Sequence, residues 1–241
     1  LYPLRWDADR GVLLALESIR LEVETTGTGG VNAKQARIQT AMDRQFSNLY
    51  TQRFDNVDSA AKYNLLSVEG RMLVVCNDAF MGIINDFVEW KRQRGMEVEV
   101  ISTGSVGGST TGIKDAIQTR YDSPEGLTYV VLVGDRAQVP TYSGTYESAD
   151  DDTRYTYCEG NDLYPDLFIS RISASIPEDV LTQTQKFIKY ERDPMAGAEW
   201  YAKAAGLASD EGSPPDHERA NWLRDDLLAY GFTHVDQIYQ L

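Results

Sequence analysis

Apolar and polar positions change period along the chain, and the changes mark its elements. Met72-Leu-Val-Val-Cys76 is apolar at every position, as expected of a strand covered on both faces at the centre of a parallel sheet. Glu97-Val-Glu-Val-Ile101 and Leu127-Thr-Tyr-Val-Val-Leu-Val133 read as strands too. Leu167-Phe-Ile-Ser170 reads as a fourth, 204–208 as a fifth and 235–239 as the last. Between them, the spacing predicts helices over 79–94, 112–121, 177–191 and 217–230. Asn77-Asp78 caps the first, and Gly95 and Gly231 stop the first and last. Strands alternating with helices imply a parallel sheet with helices on both faces and right-handed crossovers. Ligands collect at the carboxyl ends of such strands, so the loops after Cys76, Val133 and Ala208 are the ones that matter.

The first 70 residues are patterned differently. Leu4, Trp6 and Val12-Leu-Leu14 flank Asp7-Ala-Asp-Arg-Gly11, a hairpin-type turn. Ile19, Leu21 and Val23 alternate with Arg20, Glu22 and Glu24, the period of a half-buried strand. Residues 25–30 form a linker, Asn32 is a helix cap, and 33–54 reads as one helix with Ile38, Met42, Phe46 and Leu49 on one face. Residues 55–70 are a second, polar linker. Leu1-Tyr-Pro-Leu-Arg-Trp6 looks like the interior of a domain, so both ends are expected to be cut.

Composition narrows the function classes. With 241 residues, 42% of them hydrophobic, the chain can bury a sizeable core. A net charge of −14 argues against nucleic acid, whose binders present basic patches. No apolar run approaches the ~20 residues of a membrane span. Cys76 and Cys158 are expected to be free, partly buried thiols, although sequence alone does not decide their pairing. No Cys-x-x-Cys or His-Glu-x-x-His zinc pattern occurs. Gly104-Ser-Val-Gly-Gly-Ser109 lacks a following Lys-Ser/Thr and reads as a flexible loop. Ser170 and Ser173 lack a nucleophile elbow. Trp90 is expected to pack a helix on the sheet, and Tyr190-Glu-Arg192 to form a helix-end ion-pair cluster.

Four stretches occur in a distinctive order. They are Gly70-Arg-Met-Leu-Val-Val75, Phe87-Val-Glu-Trp-Lys-Arg-Gln-Arg-Gly95, Leu127-Thr-Tyr-Val-Val-Leu-Val-Gly-Asp135 and Gly160-Asn-Asp-Leu-Tyr-Pro-Asp-Leu-Phe-Ile-Ser-Arg171. Together they resemble the gingipain-like cysteine peptidases, family C25, of caspase-like fold. The resemblance implies an α/β fold, a parallel-sheet three-layer sandwich subdomain over 61–241. Before it, 1–60 would be the β-rich tail of a prosegment. It also implies peptide-bond hydrolysis by a Cys-His dyad, in which a thiolate attacks and an imidazole shuttles the proton. In the family the His stands in a His-Gly dipeptide and the Cys ends the next strand. Neither occurs here: the histidines are His217 and His234, and both cysteines precede them. The dyad is therefore expected beyond Leu241, and the chain alone is expected to be inactive.

Carried over residue by residue, the resemblance makes Glu211 the acid that orients the catalytic His, with Asp210 as its rival. On spacing alone Glu211 is a solvated loop acid. Asp216 falls where the floor of an arginine-binding S1 pocket would be, and it also reads as the N-cap of the next helix, after Pro214-Pro215. Asp135 and Asp162 are the family's calcium positions, near Asp150-Asp-Asp152; without the resemblance all five read as solvated acids or caps. The cofactor implied is structural Ca²⁺. The partners implied are a protein or peptide substrate and the remaining half of the catalytic domain. The location implied is secreted or at a bacterial cell surface. The competing readings are a non-catalytic, Ca-stabilised α/β scaffold or binding domain and a Rossmann-like nucleotide binder. The latter is disfavoured because Cys76-Asn-Asp78 stands where Gly-x-Gly-x-x-Gly belongs.

Overall fold

The structure, a computed structural model, describes residues 4–7, 9–15, 41–55, 57–58, 62–66, 69–145 and 148–240. Strands β1 (Leu4–Asp7) and β2 (Val12–Ala15) form the expected antiparallel hairpin. Gly11 closes its turn at φ +63°, a conformation that costs other residues a Cβ clash. The 19–24 alternation, the 25–30 linker, Asn32 and Ile38 lie outside the described residues.

One helix over 33–54 is not what forms. Ala41–Met42 is a strand, β3, paired parallel with β4 (Asn64–Leu65), and the helix α1 runs Arg44–Arg53. The Oδ1 of Asp43 accepts from Phe46 N at 2.9 Å and starts α1 there, while its Oδ2 accepts from Thr128 Oγ1 at 2.6 Å. Met42 is buried as a strand residue, so helical spacing misread a side chain placed by tertiary pairing. The expected second linker likewise contains β4.

The central sheet is β5 (Arg71–Cys76), β6 (Glu97–Ser102), β7 (Tyr129–Val133) and β10 (Phe168–Ile172), all parallel, in the order β10-β7-β5-β6. Between β7 and β10 lie two short strands, β8 (Tyr142–Ser143) and β9 (Asp150–Asp151), paired antiparallel. Alternation along β5 divides its side chains between two cores. Met72, Val74 and Cys76 join Val131, Val133 and Ile172 under α2 (Asn85–Gln93) and α4 (Pro177–Arg192). Leu73 and Val75 join Val130 and Leu132 under α3 (Thr110–Tyr121), which contributes Ile113 and Ile117. Three layers follow from one strand that is apolar at every position.

Two expectations about this region change. The helix over 79–94 is split into a 3-10 turn, Asp78–Phe80, and α2. Asn77 caps the turn through Ala79 N, the Asp78 carboxylate crosses to the loop after β6, and α2 begins after Ile84, whose side chain cannot cap it. The 104–109 loop is built rather than open. Gly104–Val106 is a 3-10 turn, and Ser109 Oγ accepts from Gly112 N to start α3.

Strand β11 (Lys203–Ala208) does not extend the central sheet. It pairs parallel with β12 (His234–Tyr239) alone, and α5 (Asp216–Tyr230) connects them. Val235 is buried there, whereas Leu207 and Ile238, opposite each other in the register, stay exposed. Among the described residues no helix is long and apolar enough to cross a membrane.

Candidate active site

The chain order in the central sheet reverses between β5 and β7, so their carboxyl ends open a crevice. Asn77 closes its base, donating its main-chain N–H to Val133 O at 3.0 Å and Nδ2 to Gln138 O at 3.1 Å. Gly134 takes φ +135°, and a side chain there would collide with Gln138. On one side of the crevice the Asp78 Oδ2 accepts from Gly104 N at 2.8 Å and Thr103 Oγ1 at 3.0 Å. Hydrogen bonds from Ser102, Gly104 and Thr103 hold its carboxyl below the usual range. On the other side Asp135 Oδ1 accepts from Arg136 N at 2.8 Å and Ser173 Oγ at 3.1 Å. These bonds, with the nearby Arg171 guanidinium, depress its pKa as well. Both aspartates stitch one strand's exit loop to its neighbour's.

Arg171 organises the floor behind Asp135. Its Nε and Nη2 grip Asp152 at 2.7 and 2.6 Å, and Nη1 donates to Gly134 O and Val139 O at 2.8 and 2.9 Å. This bidentate pair is mostly buried, so Asp152 is not a solvated loop acid. Asp150 pairs with Arg136 and Asp151 turns back onto Thr153 N. The Asp162 Oδ1 accepts from Tyr164 N in a turn after Gly160, at φ +74°. The next acid, Asp166, ties Cys158 N and Glu159 N. Among the described residues no group of three or more His, Cys, Asp or Glu side chains is placed to hold a metal ion. The side chains around Asp135 and Asp162 therefore do not by themselves make a calcium site.

The second set of candidates lies in the loop from β11 to α5. Ser209 O accepts from His217 N at 3.1 Å, and Glu211 O accepts from Asp216 N at 2.8 Å, so the main chain closes on itself. Gly212 turns the chain at φ +89°. The carboxylate of Glu211 is exposed. Asp216 is the first residue of α5, and Pro215 occupies the cap without a side-chain bond, so Asp216 is not the N-cap. Its Oδ2 accepts from Ser209 Oγ at 3.1 Å, and its Oδ1 lies 3.9 Å from Arg219 Nη1. The loop brings Glu211 and Asp216 together; Asp135 and Asp162 belong to separate turns.

Both thiols are shifted upward. Burial, with Asp78 nearby, pushes Cys76 up to about 12. Burial also raises Cys158, although Lys114 Nζ donates to its sulfur at 3.2 Å and opposes the shift. His234 pairs with Asp236 at 2.7 Å, and the buried Nδ1 of His217 has no hydrogen-bond partner among the described residues. Among the described residues no hydrogen bond joins a cysteine to a histidine. Sequence reasoning missed Arg171, Lys114 and Ser209. The one available signal was an arginine inside the strand Phe168–Ile172, where a charge needs a partner.

Comparison with known proteins places this arrangement. The sequence model of peptidase family C25 matches residues 66–240. Gingipain R2 of Porphyromonas gingivalis is 30% identical over 249 aligned residues, which cover 98% of this chain and 33% of the relative. The complex of the Porphyromonas gingivalis RgpB pro- and mature domains superposes with a TM-score of 0.65 at 32% identity, over 71% of this chain and 42% of that one. The Arg-specific cysteine proteinase gingipain R superposes with a TM-score of 0.64 at 32% identity, over 71% and 41%. The chain thus spans about a third of the length of the curated relative.

Proposed function

This chain belongs to peptidase family C25, and on that premise we propose that it is part of a gingipain-like cysteine endopeptidase. In this reading 1–60 is the tail of a prosegment and 61–241 the N-terminal α/β subdomain of the catalytic domain. The start of the family match at residue 66 supports that boundary. The dyad that performs the chemistry lies beyond Leu241. The carrying observation is electrostatic: a nucleophilic thiol needs a depressed pKa and an imidazole neighbour, and both cysteines here are raised, with no hydrogen bond to a histidine among the described residues.

Within that reading Glu211 accepts the ring N–H of the incoming histidine, fixing its tautomer and stabilising the imidazolium. Its exposed position on the β11–α5 loop leaves it free to do so. Asp216 supplies the acid of the S1 pocket, and the substrate is a protein or peptide with a basic residue before the scissile bond. The likeness to an Arg-specific proteinase favours arginine there. The rest of the catalytic domain covers the open face of the β11–β12 sheet, where Leu207 and Ile238 are exposed. Secretion or display at a bacterial surface goes with this assignment.

Residues 1–241 alone are expected to show no thiol-dependent peptide hydrolysis. Turnover that disappears on Cys76→Ser or Cys158→Ser would overturn the assignment of the dyad. Calcium is a separate proposal, resting on Asp135 or Asp162 with backbone carbonyls completing the shell. Thermal unfolding in excess Ca²⁺ and in chelator checks it, and coincident midpoints would remove it.

A further inference from the structure

The Ser209 hydroxyl sits between the two carboxylate-bearing residues of the β11–α5 loop. It donates to Asp216 Oδ2 at 3.1 Å and accepts from Glu211 N at 3.3 Å. The loop does not need this hydroxyl for closure, because main-chain bonds from His217 N to Ser209 O and from Asp216 N to Glu211 O already close it. What the hydroxyl sets is the direction of the Asp216 carboxylate and the course of the chain at Glu211. We propose that Ser209 is a positioning residue for substrate selection, aiming the Asp216 carboxylate into the S1 pocket while tethering the main chain at Glu211. The inference rests on the reading of Asp216 as the pocket acid.

Three features fit that role. Ser209 is half-buried and directly follows β11, so its own place is fixed by the sheet. A neutral donor orients a carboxylate without cancelling its charge, whereas a close guanidinium would compete with a cationic substrate. Arg219 Nη1 forms only a loose ion pair with Oδ1 at 3.9 Å, beyond hydrogen-bond range, on a side chain that is about half exposed.

The test uses the full-length protein that carries this chain. It compares kcat/KM for a peptide with arginine before the scissile bond and for its citrulline counterpart, which keeps the shape and lacks the charge. Ser209→Ala is expected to lower that ratio about tenfold, the loss expected when a hydrogen bond to a charged group goes. Ser209→Thr should restore it, and a purely structural role would move both substrates together. If the alanine variant does not fold, Ser209→Cys keeps the volume, weakens both bonds and should lower the ratio in the same direction. Asp216→Asn should erase the preference. If it does and the Ser209 variants leave the ratio unchanged, the positioning role is overturned while the pocket reading stands. If Asp216→Asn leaves the preference intact, both fall.

Discussion

Glu191 shows how one carboxylate fastens two helices. Burial alone would raise its pKa, but bonds from Lys91, Trp90 and Arg94 outweigh that and hold it below the usual range. The donors approach at 2.7 to 2.9 Å, all three from the α2 region and onto the end of α4. The helix-end cluster expected of Tyr190-Glu-Arg192 is therefore present, but Trp90 ties helix to helix through its indole N–H as well as packing on the core. A carboxylate with a depressed folded pKa stabilises fully above its unfolded pKa, and the contribution is lost as pH falls through the folded value. Glu191→Gln is expected to cost about 1–3 kcal/mol at neutral pH, because Lys91 is nearly buried and would lose its counter-ion. Urea unfolding of both forms should show the gap narrowing as pH falls from neutral through the ordinary glutamate range of about 4.3 and on towards the depressed native value. An equal gap at both ends would assign the effect to packing rather than charge.

At the scale of elements, local preference and tertiary contact compete openly at Gly112. It lies in the first turn of α3, where alanine would ordinarily favour the helix by roughly 1 kcal/mol. A Cβ at that position would overlap the Val106 carbonyl oxygen, because the 104–108 turn folds back over the helix start. Overpacking against backbone costs about 1–3 kcal/mol, so Gly112→Ala should destabilise despite the better helix former. A rise in the thermal midpoint would mean the turn moves away freely. The same competition explains which elements the sequence discloses. The β5, β6, α3, β7, β10 and α4 segments are legible because they are either unbroken apolar runs, as in β5 and β7, or repeat at the strand or helix period. β3 and β4 are not, since two-residue strands carry no period and exist only through each other and the Asp43 bridge to Thr128. The split before α2 is hidden for a similar reason: the bond that diverts Asp78 reaches 26 residues ahead.

For the molecule as a whole, the two sheets differ in how completely they are covered, and that difference bears on the candidate site. Helices pack against both faces of the central sheet, and its residues Leu73, Val74, Val75 and Leu132 are fully enclosed. The β11–β12 sheet has α5, none of whose residues is fully buried, and an open face bearing Leu207, Ile238 and the His234–Asp236 pair. The period of β11 and β12 could be read from sequence, but their separation from the main sheet could not, because pairing partners are set by tertiary contact. Glu211, proposed to orient the histidine, and Asp216, proposed for the S1 pocket, hang from this thinly covered unit, while Asp78 and Asp135 hang from the covered one. Local opening is cheapest where few apolar contacts are lost. Amide exchange in the chain 1–241 should therefore run faster at β11 and β12 than at β5 and β7. Addition of the remaining catalytic half should slow exchange at β11 and β12 selectively, as apolar side chains come to cover Leu207 and Ile238. Uniform protection across both sheets in the isolated chain would mean that the second unit is complete as it stands, and would favour a self-sufficient scaffold over a peptidase awaiting its dyad.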